Sequence, residues 1–153
     1  MTKLEIKGTI ISNNQKWIYD LFEMDSTSPK DILLPDNNEP LEVVINSGGG
    51  DVYAGSEIYT ALRAYQGDVT VKIVGIAASA ASVIAMAGNT IEISPTAQIM
   101  IHNVSSAAAG DHRTLAHEAE VLKNYNSSIA NAYIAKTGIE EAELLELMNH
   151  ETW

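Results

Sequence analysis

Residues 71–88, VKIVGIAASAASVIAMAG, constrain the fold of this chain more than any other segment. The β-branched residues at 71–74 favour a buried strand, and the small residues after Gly75 favour a short buried helix. Ser79 stands at this change, with alanines on both sides. Such a switch places the hydroxyl at a helix N-terminus, where unpaired N–H groups favour negative charge. Ser79 is therefore a candidate nucleophile, and the alternative is a small packing residue.

A second glycine-rich stretch, VVINSGGGDVYAG, begins with another apolar run. Its strand is predicted to end at residue 45, because Asn46, Ser47 and three glycines, Gly48, Gly49 and Gly50, follow. Glycines allow the close backbone approach that an oxyanion hole needs, and one donor N–H there contributes roughly 2.7–4 kcal/mol. The alternatives are an ordinary turn and a phosphate loop. Neither GxxxxGK[ST] nor GxGxxG occurs at this point, which disfavours nucleotide binding.

Composition and charge disfavour several classes of function. The 153 residues suffice for a single domain, 1–153, with a real core. The net charge of −11 argues against binding to nucleic acid or to anionic membranes. The absence of cysteine excludes disulfides, thiolate metal sites and a cysteine nucleophile. No secretory leader is visible, and the apolar run 73–87 is too short to span a bilayer, so we expect a cytoplasmic protein.

Strand and helix patterns alternate through the middle of the chain, which predicts the α/β class. Gly138 is suited to end the long helix. The predicted strands are 4–11, 41–45, 69–74, 90–93 and 98–101, and the predicted helices are 15–24, 54–65, 80–87, 113–136 and 140–148, with a polar loop at 25–40.

Serine hydrolysis also needs a base and a carboxylate that orients the base. His102 follows the apolar run at 99–101 and is the candidate base, the alternatives being a core histidine or a surface cap. His112, His117 and His150 are weaker candidates. The spacing of five between His112 and His117 does not place two ligands on one helix face, which disfavours a metal site. Spacing does not choose among four candidate carboxylates, which are Asp51, Asp111, Glu118 and Glu151.

Three motifs resemble those of the Clp protease proteolytic subunit family and occur in its order. They are INSGGGDVYAG, GIAASAAS and QIMIHN, and the resemblance extends from about residue 41 to residue 153. Within that family, AASAASVIAMAG, MIHN and the closing LMNHETW are most similar to phage and prophage Clp-like proteases. Those proteins are commonly associated with maturation of the phage head.

The resemblance implies a serine endopeptidase that requires no metal, nucleotide or organic cofactor. By residue correspondence, Ser79 is the nucleophile and His102 the general base. Glu151 falls where the family usually has an aspartate. The oxyanion N–H groups are assigned to Gly50 and Ala80.

Gly49 is the close second choice as an oxyanion donor. The resemblance also implies the Clp/crotonase-like spiral of ββα units, with a long handle helix at 113–136. The implied partners are a peptide or protein substrate, bound near the loop 104–110, and further copies of the chain in a homo-oligomeric ring. The family continues beyond the acid, so the domain is expected to lack the family's C-terminal segment. The housekeeping enzymes of the family carry an N-terminal arm that meets an ATP-driven unfoldase. This sequence opens almost directly into its first predicted strand, so an unfoldase partner is not expected.

Several alternatives stay open from the sequence. One is a housekeeping Clp peptidase fed by an ATP-driven unfoldase. Another is a crotonase-like acyl-thioester enzyme, which shares the fold and the oxyanion hole. A third is an inactive ring or scaffold protein. The presence of both Ser79 and His102 favours the protease over an inactive relative.

Overall fold

A parallel β-sheet forms the centre of the computed structural model, which describes all residues from Met1 to Trp153. The strands run in the spatial order β2-β1-β3-β4-β5, and β6 pairs with the far end of β4. In chain order the strands are β1 (Thr2–Ile10), β2 (Ser26–Thr27), β3 (Leu41–Gly50), β4 (Val69–Ala78), β5 (Thr90–Ile93) and β6 (Gln98–Met100). The helices are α1 (Lys16–Leu21), α2 (Val52–Ala64), α3 (Ala80–Ala85), α4 (His112–Thr137) and α5 (Glu141–Asn149).

The chain divides into two compact units, each described here by itself. The first contains residues 1–100 together with Trp153, and so holds the sheet with α1, α2 and α3. The second contains residues 101–152, with α4 and α5. The domain boundaries 1–153 stay a prediction.

Apolar side chains from β1, β3 and β4 build the core of the first unit. Burying one such side chain stabilises the fold by about 1.5–3 kcal/mol. In β4 the buried Val69, Val71 and Ile73 alternate with the less buried Thr70 and Lys72, so one face of this strand carries most of its contribution to the core. The largest fully buried side chains of this unit include Ile6, Ile10, Leu41, Ile45, Ile58, Leu62, Ile73 and Ile84.

β3 and β4 both extend beyond the ends predicted for them. The prediction ended these strands at residues 45 and 74, whereas they continue to Gly50 and Ala78. The ladder accommodates the polar and glycine residues through register shifts, one between Lys7 and Thr9 and another between Ile45 and Ser47. The prediction placed the strand ends too early because glycine and asparagine, which are common in turns, also occur in β-bulges within a strand.

The first predicted helix, 15–24, is shorter in the structure, where α1 covers only six residues. Glu23 adopts a left-handed conformation with φ 53°, which ends the helix. Two large side chains of α1, Trp17 and Leu21, stay mostly exposed. The loop predicted at 25–40 contains β2 and a 3-10 turn at Pro29–Asp31.

The long helix agrees with its prediction to within one residue at each end, and Gly138 ends it in the left-handed conformation predicted for a helix stop. Its apolar stripe is divided. Tyr133, in the last third, is buried and α4 contacts α5, whereas Leu115, in the first turn, is 45% exposed. The α/β class, with a parallel sheet and one long helix, is confirmed.

Candidate functional site

Ser79 lies between β4 and α3, at the strand-to-helix switch predicted for it. Its backbone has φ 55° and ψ −126°, a conformation that costs a non-glycine residue about 1–3 kcal/mol. Two hydrogen bonds hold this turn: the Ser79 N–H donates to the Met100 carbonyl at 3.0 Å, and the Ser82 hydroxyl donates to the Ser79 carbonyl at 2.6 Å. Strained backbone of this kind is concentrated at functional sites, so the outlier supports a functional role for Ser79.

Gly49 packs directly against this turn. A Cβ at Gly49 would lie 2.7 Å from both the Ala78 carbonyl oxygen and the Ser79 Cβ, and 3.0 Å from the Ala80 nitrogen. Its φ of +95° also disfavours any L side chain. The close backbone approach predicted from the glycine and alanine composition is therefore present at this position.

Gly50 makes its close approach to a different segment, β1. Its φ is +151°, and a Cβ there would collide with the carbonyl oxygen of Ile10 on β1. Gly55 on α2 makes a further close approach, because its Cβ would lie 2.9 Å from the Ala80 Cβ. Small residues therefore surround Ser79 because backbone segments meet there.

Two polar residues of β3 connect the bulged strands. Asn46 Oδ1 accepts a hydrogen bond from the Ile76 N–H at 3.2 Å, on the β4 side. On the β1 side, the buried Ser47 hydroxyl donates to the Gly8 carbonyl at 2.6 Å and accepts from the Gly49 N–H at 3.1 Å. The Gly49 N–H is thus engaged by Ser47, which supports Gly50 over Gly49 as an oxyanion donor.

His102 and Glu151 come together within the second unit. Ile101 and Thr152 form an antiparallel bridge with two backbone hydrogen bonds of 3.0 Å each. This bridge brings the next pair of residues, 102 and 151, side by side. His102 Nδ1 lies 3.9 Å from Glu151 Oε2, an ion-pair distance when the imidazole is protonated and longer than a hydrogen bond.

The His102–Glu151 pair is accessible to solvent. The side chains are 29% and 55% exposed, respectively. Glu151 has φ 50°, so its backbone is left-handed where the chain turns from α5 into the bridge. Solvent weakens the Coulomb attraction between the two groups, and the pair is held more loosely than a buried one.

The other candidate carboxylates have structural partners. Asp51 accepts from the Ala54 N–H at 2.8 Å and caps α2, while Glu118 accepts from the Ser106 hydroxyl at 2.7 Å. Asp111 caps α4, and the hydrogen bond from the Thr114 N–H contributes most to holding its pKa below the ordinary value. Of the four candidate carboxylates, Glu151 is the one that lies within ion-pair distance of His102.

Asparagines support the segment that follows His102, and sequence reasoning missed them. Asn103 Nδ2 donates to Asn149 Oδ1 at 2.8 Å, and Asn126 Oδ1 accepts from the Val104 N–H at 2.8 Å. The Asn103 Oδ1 is buried without a hydrogen-bond partner within the chain. Asparagine is common in loops and turns, so an asparagine in the sequence gives no reason by itself to single out these three positions.

The remaining histidines are separate from this arrangement. His112 and His117 lie on α4, and His150 Nδ1 lies 2.8 Å from the Glu146 carbonyl oxygen. No group of three or more His, Asp or Glu side chains is arranged to hold a metal ion. None of the helices is both long and apolar enough to cross a membrane.

Comparisons with known proteins agree on one family. The sequence model of the Clp protease family matches residues 18–153. An ATP-dependent Clp protease proteolytic subunit from Deinococcus radiodurans is 30% identical over 134 residues, covering 84% of this chain and 66% of that protein. An ATP-dependent Clp protease proteolytic subunit from Pleurastrum terricola is 33% identical over 105 residues, covering 67% of this chain and 54% of that protein.

The solved structure of a ClpP1 point mutant from Listeria monocytogenes has a TM-score of 0.78 and 24% identity, covering 99% of this chain and 81% of that one. That likeness confirms the Clp-like fold. The chain spans slightly less than two thirds of the Deinococcus relative and about half of the Pleurastrum one. With the family model matching most of its length, the chain belongs to the Clp protease family.

Proposed function

We propose that this protein is a serine endopeptidase that cleaves peptide bonds in peptide or protein substrates. The observation that carries the proposal is the strained Ser79 turn, against which Gly49 packs too closely for any side chain. Membership of the Clp protease family supports the same chemistry, because its curated relatives are described as proteolytic subunits.

In this proposal Ser79, His102 and Glu151 form the catalytic triad. The motifs GIAASAAS and QIMIHN, which resemble the nucleophile and histidine segments of the Clp protease family, support the pairing of Ser79 with His102. The 3.9 Å distance between His102 and Glu151 supports the choice of acid.

The reaction proceeds by acyl transfer. Ser79 Oγ attacks the scissile carbonyl carbon while His102 takes the hydroxyl proton, and Glu151 stabilises the resulting imidazolium. His102 then protonates the leaving amine as the C–N bond breaks. Water, activated by His102, hydrolyses the acyl-enzyme and restores the Ser79 hydroxyl.

The proposed oxyanion donors are the N–H groups of Gly50 and Ala80. Ala80 is the first residue of α3, so its N–H has no carbonyl partner within the helix. A preorganised donor of this kind contributes roughly 2.7–4 kcal/mol to transition-state stabilisation. Gly49 contributes the close approach, since its own N–H is bound to Ser47.

We also propose that the chain assembles into a homo-oligomeric ring, with α4 in contact with other copies. The support for this assembly is the resemblance, which implies a handle helix at the position that α4 occupies. We propose a phage or prophage setting within a bacterial host and a role in head maturation. Its support is the likeness of the nucleophile and histidine motifs to phage Clp-like proteases.

A housekeeping proteolytic subunit is the second candidate, favoured by the names of the curated relatives, which are ATP-dependent Clp protease subunits. Neighbouring capsid and portal genes would support the phage setting, whereas peptide hydrolysis stimulated by an ATP-driven unfoldase would support the housekeeping one.

The test is covalent labelling with a fluorophosphonate, followed by intact-mass measurement and peptide mapping. We expect one adduct, on Ser79, and no adduct in Ser79→Ala. Ser56→Ala is the matched control, because Ser56 is an exposed serine of α2, and it should label as the parent does. Labelling that persists in Ser79→Ala, or a folded ring-sized assembly that takes no label, would contradict the proposal. Binding of a coenzyme A thioester by that unlabelled assembly would favour the acyl-thioester alternative.

A further inference from the structure

Ser47 occupies an unusual place for a serine, near the end of a buried strand and itself 2% exposed. Its hydroxyl makes two backbone hydrogen bonds, donating to Gly8 on β1 and accepting from Gly49 on its own strand. Polar groups are kept in a core when their hydrogen bonds are satisfied, and this hydroxyl satisfies one carbonyl and one N–H together.

The two bonds lie at the bulges that end the regular ladder. The register between β1 and β3 shifts between Lys7 and Thr9, at Gly8. Gly8 itself has φ +65°, and a Cβ there would collide with the Asp25 carbonyl. The irregular strand therefore presents its Gly8 carbonyl to Ser47, and Ser47 in turn binds the N–H of Gly49.

From Gly49 the connection continues to the nucleophile. The Gly49 Cα lies so close to Ser79 that a Cβ would lie 2.7 Å from the Ser79 Cβ. Rotation of the peptide between Gly48 and Gly49 would move the following Gly50 peptide as well, because they are consecutive along the backbone. A hydroxyl that binds the Gly49 N–H restrains that rotation.

We propose that Ser47 is a positioning residue that sets the orientation of the Gly49–Gly50 backbone, and so the position of the oxyanion donor relative to Ser79. The inference rests on the proposed serine peptidase function. Ser47 does not touch substrate in this scheme and acts through Gly49. A misplacement near 1 Å of a catalytic group lowers the rate by on the order of 100-fold.

The chain provides a matched control for the loss of this hydroxyl. Thr27, on β2, is 3% exposed, and its hydroxyl also makes two backbone hydrogen bonds to β1, donating to the Lys7 carbonyl and accepting from the Lys7 N–H, each at 2.9 Å. Ser47→Ala and Thr27→Val each remove one buried hydroxyl and leave one carbonyl and one N–H of the backbone unpartnered. We expect similar drops in the urea midpoint of unfolding.

The two variants should differ in catalysis. For Ser47→Ala we expect kcat and the rate of fluorophosphonate labelling to fall on the order of 10- to 100-fold, with KM within about twofold of the parent value. This loss is smaller than the one expected for removing an oxyanion donor itself. For Thr27→Val we expect both rates within about twofold of the parent. Should Ser47→Ala fail to fold, Ser47→Cys replaces it, since a thiol fills the site but hydrogen-bonds weakly, and kcat should again fall with KM retained.

Two outcomes would overturn the role of Ser47: a parent-like kcat in the Ser47 variant, or an equal loss of kcat in Thr27→Val. If the parent protein neither labels on Ser79 nor cleaves peptides, the proposed function fails and this inference fails with it. If the parent labels on Ser79 and Ser47→Ala labels equally fast, only the positioning role of Ser47 is rejected.

Discussion

Ser79 and His102 are held in place by different physical means. Around Ser79 the constraint is steric: the serine backbone is strained, and Gly49 leaves no room for a side chain. Around His102 the constraint is a set of hydrogen bonds and charges, and the partner Glu151 is more than half exposed. Steric constraints fail abruptly because repulsion rises steeply over a few tenths of an ångström, whereas solvated polar contacts weaken gradually.

This difference agrees with what each group must do. In the proposed reaction, the nucleophile and the oxyanion donors need accuracy well below 1 Å, which close-packed backbone provides. The carboxylate beside the base supplies orientation and charge, which tolerate a longer distance. The two regions should therefore respond differently to substitutions of similar size.

The largest effect is expected for Gly49→Ala. The added methyl would overlap the Ala78 carbonyl and Ser79 in a backbone with φ +95°, so the strand and the serine turn cannot both keep their positions. We expect fluorophosphonate labelling to slow by on the order of 100-fold or more, with a lower thermal midpoint of unfolding.

Gly48→Ala is the neighbouring control, because nothing lies within 4 Å of a Cβ at that position. We expect it to lose at most a few-fold in labelling rate. Equal losses in the two variants would show that the Ser79 region is not limited by sterics at Gly49, and the contrast between the regions would disappear.

An intermediate effect is expected for Glu151→Gln, which removes the charge and keeps the shape. Because Glu151 is exposed and 3.9 Å from His102, we expect kcat to fall roughly 10- to 100-fold, less than the roughly 10⁴-fold cost of altering a buried triad aspartate. Steady-state peptide hydrolysis measures this loss.

Glu146→Gln is its matched control, because Glu146 lies 3.8 Å from His150 in the same unit, and both of these side chains are exposed. It should hydrolyse peptides at the parent rate. If Glu151→Gln also keeps the parent rate, Glu151 is not the acid of the triad. A loss as complete as that of Ser79→Ala would instead place Glu151 among groups that act as one unit.

The smallest effect is expected for Asp111→Asn, at the start of α4. Hydrogen bonding, mainly from the Thr114 N–H, lowers the pKa of Asp111 in the folded state. Its charge therefore adds stability at pH values above the unfolded pKa, near 3.9, and this contribution is lost as the pH falls through the lower folded pKa. Asparagine caps a helix comparably but does not titrate.

Thermal unfolding at pH 7 and pH 3 measures this contribution. The variant should melt slightly below the parent at pH 7 and together with it at pH 3. Asp36→Asn removes the same charge from an exposed loop position and serves as the control for the change in net charge. A gap between parent and Asp111→Asn that widens in acid would contradict the sign of the effect.

The agreement between sequence and structure follows from the range of the interactions involved. Helix α4 was predicted to within one residue because its end depends on a local feature, the left-handed Gly138. β3 and β4 were predicted too short, because bulged strands depend on partners across the sheet, such as the Gly8 carbonyl and the Ile76 N–H. The importance of Ser47 could not be predicted for the same reason.

By itself, the sequence determined the α/β class, the position of Ser79 at a strand-to-helix switch and, through three ordered motifs, the family. These depend on local patterns of polarity, side-chain size and turn residues, which are written along the chain. Spacing along the chain did not choose among the carboxylates, although the resemblance pointed to Glu151. Only the tertiary structure gave the distance between Glu151 and His102, because the Ile101–Thr152 bridge joins residues that are far apart in sequence. It likewise decided which glycine faces the nucleophile, since that depends on how neighbouring strands are shifted in register.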